Sequence, residues 1–438
     1  MSELNYNKKL TVRWQPDVLV AGGGPAGIAA ALAAGSQGLS VRLIEAHSCL
    51  GGMGTAGMVP AFSLFTDDVN FLSDGIGRKI YNALKAAGGA YDERIMSIRA
   101  EVLKRVYDAL LSEAGVEYTF HTSLVDVTVD GGTVSEAICA DKSGLFAIRA
   151  KVFIDGTGDG DLAVFAGADY EKGGIDGRMM PGTLCSLWAG IDWNKVNNSG
   201  LKPDNCKIEQ AFNAGIFILE DRHLPGMWRV GDKIGGGNIG HTFDLDGTDS
   251  ESLTRALVWG RKSVLEYERY YKEYLQGYED MELVATGSLL GVRETRRIKG
   301  CYTLNVKDFR ADSVFEDEIG RYSYPVDIHI AKPDKASFDA FMKEYTAMRM
   351  GPGESYGIPY RILTPEKLNN VLVAGRCVST DRSMQASIRV MPGCFITGQA
   401  AGIAAALAVE NTASIHNINI HELQKRLKEQ GAFLPNYE

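Results

Sequence analysis

Metal-binding and disulfide-forming patterns are missing from this chain. Its seven cysteines stand at 49, 139, 185, 206, 301, 377 and 394, an odd number with no C-x-x-C pair, which argues against structural zinc, an iron–sulfur cluster and a disulfide framework. The seven histidines offer no H-x-x-x-H pair that a helix could turn toward one ion, so no metal site is expected. Basic charge is in short supply as well. The 46 Lys and Arg against 55 Asp and Glu leave a net charge of -9, which denies nucleic acid or an anionic membrane the basic face either would demand; Arg293 to Lys299 is a local basic cluster only. No run reaches ~18 charge-free apolar residues, and the nearest, Cys394 to Val409, is rich in Gly and Ala and broken by Gln399. The opening MSELNYNKKL lacks the apolar core of a secretory signal. A cytoplasmic protein is expected, without a nucleic-acid or membrane partner; association of identical chains is left open. Repeats and low-complexity tracts are absent too.

What is present is a globular composition, 45% hydrophobic over 438 residues, enough for two domains. Asp17 to Ala21 is a short apolar run that ends in three glycines, and an Ala-rich stretch from Pro25 to Ala34 follows. Ser40 to Ile44 reads as a second buried strand closing on Glu45, which completes a βαβ unit. Gly22, Gly24 and Gly27 fit G-x-G-x-x-G, with one glycine for the tight turn, one for pyrophosphate against bare backbone and one for helix-on-strand packing. The helix start at Pro25 and Ala26 points its dipole at the phosphates. Glu45, with Ala46 beside it, stands where an acid meets ribose hydroxyls. The unit binds a dinucleotide, and these residues alone do not separate FAD from NAD.

Further along, Arg99 to Ala114 is an amphipathic helix stopped by Gly115. Between Val116 and Ile154, β-branched runs alternate with turn signals, as in a small antiparallel insert. Residues 165–365 lose the βαβ rhythm and read as an inserted α+β substrate or cap domain; its clearest element is a helix from Asp249 to about Leu275, with Thr248 and Glu251 as a capping box. From 366 to 438 the earlier style resumes, with the strand Asn370 to Ala374 and a final Ala-rich helix. Residues 1–164 and 366–438 thus compose one α/β, Rossmann-like domain.

Three more segments resemble the FAD-dependent oxidoreductase family, allied to the succinate dehydrogenase and fumarate reductase flavoproteins within the glutathione-reductase-like superfamily. They are Leu50-Gly51-Gly52-Met53-Gly54-Thr55-Ala56-Gly57, then Asp155-Gly156-Thr157-Gly158-Asp159-Gly160-Asp161, then Gly375-Arg376 through Ser387-Ile388-Arg389-Val390-Met391-Pro392 to Gly398-Gln399-Ala400-Ala401-Gly402. Gly291 to Arg297 and Asp327-Ile328-His329 add to them. The resemblance implies a glutathione-reductase-type fold and FAD, with Gly51, Gly52, Met53, Thr55 and Ala56 passing the flavin ring and Gly156, Thr157, Gly158 and Asp161 closing over the cofactor. Gly375, Arg376, Met391 and Cys394 would lie beside the isoalloxazine, and Val125 would meet the adenine edge through its backbone. Many relatives carry an acid for the ribityl chain where this chain has Arg376, so the resemblance passes that task to Asp381. Relatives that attach FAD covalently use a histidine where Met53 and Gly54 stand here, so non-covalent FAD is expected.

For the chemistry, Arg389 is similar in position to an arginine that grips a substrate carboxylate, the bland alternative being a structural arginine. Arg293, His241 and His329 are further candidates for anion binding or acid/base work, against readings as a structural ion pair and as satisfied buried histidines. His223, His416 and His421 look like surface or packing residues, and Cys394 and Cys377 like packing. The expected function is an FAD-dependent dehydrogenase or reductase acting by hydride transfer at flavin N5 on a small molecule. No second G-x-G-x-x-G follows a strand, which points to a separate electron donor or acceptor. A lyase or isomerase with structural or transiently reduced flavin, and a plain binding protein, stay open.

Overall fold

The computed structural model describes residues 4–91, 96–200, 207–222 and 226–437; Cys206 and His223 lie outside them. Five parallel strands form the central sheet: Val18–Ala21 (β1), Val41–Ile44 (β2), Glu117–Thr119 (β3), Val152–Asp155 (β4) and Val371–Val373 (β5), side by side in the order β5-β4-β1-β2-β3. Every residue of β1, β2, β4 and β5 is buried, as helices on both faces of a parallel sheet require. The crossover from β1 to β2 is the helix Pro25–Gly35 (α1), buried from Ala26 to Ala34. The helix Ala100–Glu113 precedes β3 and ends before Gly115, which takes φ +67°. Strands Ser123–Asp130, Thr133–Asp141 and Gly144–Arg149 run antiparallel in sequence, with Val12–Trp14 added at the edge.

Between 165 and 365 the packing divides. Trp188, Trp193, Tyr267, Tyr270, Tyr271 and Tyr278 belong to a second hydrophobic core, under a four-stranded sheet that includes Ser186–Ala189 and Glu282–Thr286. Ile298, Leu304, Phe309, Tyr322 and Ile358 instead join the core of the parallel sheet, so the compositional break at 165 and 365 does not coincide with the cores. The long helix is Ser250–Tyr274 (α2). Its cap differs from the expected box: Asp249 is the N-cap, accepting from Ser252 N at 2.9 Å, while Thr248 Oγ1 donates to Asp246. A carboxylate one residue closer to the helix serves the orphan N–H groups better than the hydroxyl. Helix Lys335–Ala347 (α3) follows, and Met391–Asn411 (α4) closes the main core; it is not the last helix, since Ile420–Glu429 comes after it.

Length and composition would let α4 cross a membrane, yet 94% of its apolar window is buried in the fold. Its main partner is α1. A Cβ on Gly398 would lie 2.2 Å from Ala26 O and one on Gly402 2.3 Å from Ala30 O, so the two backbones touch along a seam that only glycine and alanine fit. The seam brings the N-termini of α1 and α4 to the same side of the sheet.

Candidate active site

Both N-termini open into a cavity of about 940 Å³, at the upper end of small-molecule sites. Gly22 takes φ +96°, with its Cβ position 2.5 Å from Gly156 O; a Cβ on Gly27 would fall 1.9 Å from Gly22 O, so neither tolerates a side chain. Gly24 caps α1, and its Cβ position meets nothing nearer than 3.9 Å. Glu45 Oε2 accepts from Gly23 N at 2.7 Å and Oε1 from His47 N at 2.8 Å. The carboxylate therefore shapes the glycine loop, and each oxygen keeps a lone pair for a ligand.

Gly22, Gly24, Pro25, Ala26, Glu45, Ala46, Gly52, Met53, Gly156, Thr157, Gly158, Asp161, Gly375, Arg376, Met391 and Cys394 all line the cavity. Gly27, Gly51, Thr55 and Ala56 stand behind that wall. Gly51 N donates to Gly23 O, Thr55 Oγ1 to Leu50 O, and Ala56 O accepts from Ser288 N. Val125 does not line it either: its side chain is exposed, a β-bulge skips it in the strand pairing, and Ser123 and Leu124 are the lining residues there.

Asp381 is a correction. Its two oxygens accept from Met384 N and Val306 N, both at 2.8 Å, capping the helix Arg382–Ile388 away from the cavity. The acid beside Arg376 is Asp159, 2.6 Å from its guanidinium and itself on the cavity wall. Beneath them Asp155 is fully buried and accepts from Thr157 N, Thr157 Oγ1 and Ala163 N. Burial, only partly offset by those donors, pushes its carboxyl up to about 6.

At the far end lie Arg293, Arg389 and His329, with His241 directly behind His329. Arg389 Nη2 donates to Asp327 O at 3.2 Å and leans on its carboxylate at 3.4 Å, while its buried Nε meets no acceptor among the described residues. Arg293 donates to Pro181 O and Thr183 Oγ1, each at 2.9 Å. Burial and the neighbouring Arg389 push Arg293 down to about 10, which leaves it charged at neutral pH. Arg296 pairs with Asp161 and Arg297 with the buried Glu294; these two are structural. His416 Nε2 donates to Leu368 O, far from the cavity.

Over this end, α3 turns Phe338, Phe341, Met342 and Tyr345 into the cavity, a spacing that puts them on one helical face. Phe341 and Tyr345 stack at 5.5 Å, and the Phe341 ring lies 6.1 Å from that of His329. Cys394 gives its Sγ–H to Arg389 O at 3.2 Å, and burial pushes the thiol up to about 12, so the helix terminus does not make it a thiolate. Asp221, Asp327 and Asp159 carried no expectation of a role. Two of them sit inside motifs that were read for other residues; Asp221 sits in a loop with no local signature.

A family model described as FAD dependent oxidoreductase matches residues 17–427. A ferredoxin–NADP reductase of Saccharopolyspora erythraea is 34% identical over 117 residues, 26% of this chain, and the chain spans about a third (35%) of the length of that relative. Among solved structures, a geranylgeranyl bacteriochlorophyll reductase-like protein of Thermoplasma acidophilum is 14% identical, covering 96% of this chain and 84% of its own, with a TM-score of 0.46. The p-nitrophenol 4-monooxygenase of Pseudomonas putida is 12% identical, covering 97% and 88%, also with a TM-score of 0.46. Likenesses at that level decide nothing about chemistry.

Proposed function

The chain belongs to the FAD-dependent oxidoreductase family, and from that premise we propose that it oxidises or reduces a small carboxylate-bearing compound by hydride transfer, with a protein group handling the matching proton. The observation that carries this reading is Arg389, whose buried Nε meets no acceptor among the described residues, on the wall of a cavity that Arg293 also lines. FAD is the cofactor. The cavity fits it: bare backbone at Gly24 leaves room for a pyrophosphate at the start of α1, and Glu45 has acceptor capacity for the ribose hydroxyls. When bound, FAD supplies two-electron chemistry, giving or taking a hydride at N5.

The residues divide the remaining work. The first turn of α4, at Met391 on the cavity wall, would favour negative charge on a flavin bound there. The planar fork of Arg389 suits a carboxylate, with Arg293 adding fixed positive charge. The aromatic face of α3 excludes water from the reacting end. His329 is the acid/base candidate at the cavity. Met53 and Gly54 offer no attachment atom, in keeping with non-covalent binding, and a separate electron partner accounts for the lack of a second G-x-G-x-x-G.

Anaerobic photoreduction of the purified yellow protein, followed by a screen of small carboxylates for bleaching, tests the reading. Stoichiometric reduction and reoxidation with bleaching by at least one carboxylate is the expected result, and a cofactor that cannot be cycled overturns it. Rapid bleaching by NADH or NADPH would remove the separate electron partner.

A further inference from the structure

The imidazoles of His241 and His329 meet edge to edge, with His241 Nε2 2.9 Å from His329 Nδ1. Each outer nitrogen meets a carboxylate: His241 Nδ1 lies 3.1 Å from Asp221 Oδ1, and His329 Nε2 lies 3.2 Å from Asp327 Oδ2. All four side chains are buried or nearly so, from 0% exposure at His241 to 14% at Asp327. Three hydrogen bonds in a row need three protons. Two ionised carboxylates and two neutral imidazoles hold only two between them. With two, one contact would set lone pair against lone pair at hydrogen-bond distance, in surroundings too dry to screen the repulsion.

We propose that Asp221, His241, His329 and Asp327 form a single proton-conducting chain that stores one excess proton and ends at Asp327 on the cavity wall, where that proton is exchanged with the substrate. The exchange at Asp327 rests on the redox reading of the site; the loaded chain does not. Asp327 is then the catalytic residue, and His329, His241 and Asp221 supply and position its proton.

The neighbouring charges decide where the proton rests. Burial, the largest influence, pushes His241 below the usual histidine range and Arg293 adds to it, while Asp221 and Asp327 pull it partly back up. His329 is held well below the usual histidine range by burial, Arg293, His241 and Arg389. The third proton that the three contacts require therefore sits on His241 rather than on His329, and His241 donates from both nitrogens. Delivery is a two-step shift. His241 Nε2–H passes to His329 Nδ1, and His329 Nε2–H passes to Asp327 Oδ2. Two N–H bonds break, one N–H and one O–H form, each bonding pair stays on its original nitrogen, and no electron changes hands. All three hydrogen bonds survive, two of them reversed, and Asp327 becomes a carboxylic acid beside Arg389. Other groups facing the chain do not compete: Tyr267 at Asp221, and Tyr324 and Tyr345 near Asp327, are pushed up by burial and stay neutral, Arg293 keeps its charge, and Arg389 leans on the Asp327 carboxylate.

Nitrogen NMR of histidine-labelled, FAD-loaded protein in the resting state reads the proton count directly. Three protonated ring nitrogens shared by His241 and His329 are expected at a pH just below the ordinary histidine value of ~6.5, where two neutral imidazoles would carry two. In Asp221→Asn the third proton is lost at that pH, and in His241→Gln the ring of His329 carries one proton; visible absorbance of bound FAD reports that each variant is folded. Two protonated nitrogens in the parent, or an unchanged count in Asp221→Asn with FAD retained, would overturn the chain. Because this signal needs no turnover, three protonated nitrogens in a protein whose flavin cannot be cycled would reject the redox reading and the role of Asp327 while leaving the stored proton in place.

Discussion

Replacing Gly402 by alanine sets two effects of known sign against each other. Alanine in a helix interior is favoured over glycine by ~1 kcal/mol, so in isolation the change stabilises α4. At this position the new methyl would stand 2.3 Å from Ala30 O, 2.7 Å from Ala33 Cβ and 2.9 Å from Ala34 N. The obstacles are backbone and Cβ atoms that no rotamer change can move, so α1 and α4 must separate by about 1 Å to restore van der Waals contact. Overpacking a filled interior costs ~1–3 kcal/mol, and a seam with no flexible side chain belongs at the upper end of that range. A net loss of about 1–2 kcal/mol remains after the helix preference is subtracted. Gly402 lies eleven residues beyond Met391, ~16 Å along the helix, so stability falls while FAD affinity changes little. Urea titration followed by circular dichroism and by release of flavin fluorescence measures both. Gly398→Ala, a turn nearer the cavity and opposite Ala26 O, is expected to lose stability and FAD together. A Gly402→Ala protein as stable as its parent would refute the reasoning, since helix preference would then have won over the seam.

Asp155 sets a pH dependence of definite sign. With its carboxyl pushed from 3.8 up to about 6, the folded protein keeps a proton that the unfolded chain has released, so stability drops as pH rises from about 4 through about 6, by roughly 3 kcal/mol in full; Asp155→Asn should lose that slope in urea midpoints, and parallel slopes for the two proteins would contradict it. Glu45→Ala removes the acceptor for Gly23 N and His47 N and is expected to weaken FAD binding by about tenfold to a hundredfold in a titration of the apoprotein, whereas undiminished affinity would mean that the loop holds its shape alone. Cys394→Ala should retain a flavin that photoreduces as in the parent, because a thiol pushed up to about 12 does not exchange electrons at neutral pH; loss of reducibility would make that sulfur a redox partner.

The parts of the site readable in sequence are those where one local motif does the positioning. The βαβ unit was legible because strand, glycines, helix and Glu45 lie within one continuous stretch, and backbone sterics at Gly22 and Gly27 leave no other residue there. The Ala-rich helix was legible from Cys394 to Val409 for the same reason, although the structure begins it at Met391. Asp381 misled because a carboxylate just ahead of a helix is an N-cap as readily as a ligand, and no local signal separates the two uses. Arg376 finds its acid in Asp159, 217 positions away. The pairing of His241 with His329 spans 88 positions, and Asp221 approaches from a loop of its own. Arg376 meets Asp159 because β5 lies beside β4 in the sheet, and the histidines meet where the second core packs against the first; no periodicity or spacing encodes either contact. The cap of α2 failed on a finer scale, since Thr248 and Asp249 are both good N-caps and only the chain direction chooses between them.

The seam between α1 and α4 also sets a clock. The ribosome completes α1 at residue 35 and does not begin α4 until residue 391, a wait of roughly 20–70 s at bacterial and eukaryotic elongation rates of ~5–20 residues per second. During that interval the alanine face of α1 has no partner, and β4 has not yet met β5 on its far side. The glycine loop is made long before the helix that packs behind it. Until α4 is made, the chain carries the nucleotide motif without the helix that packs against it.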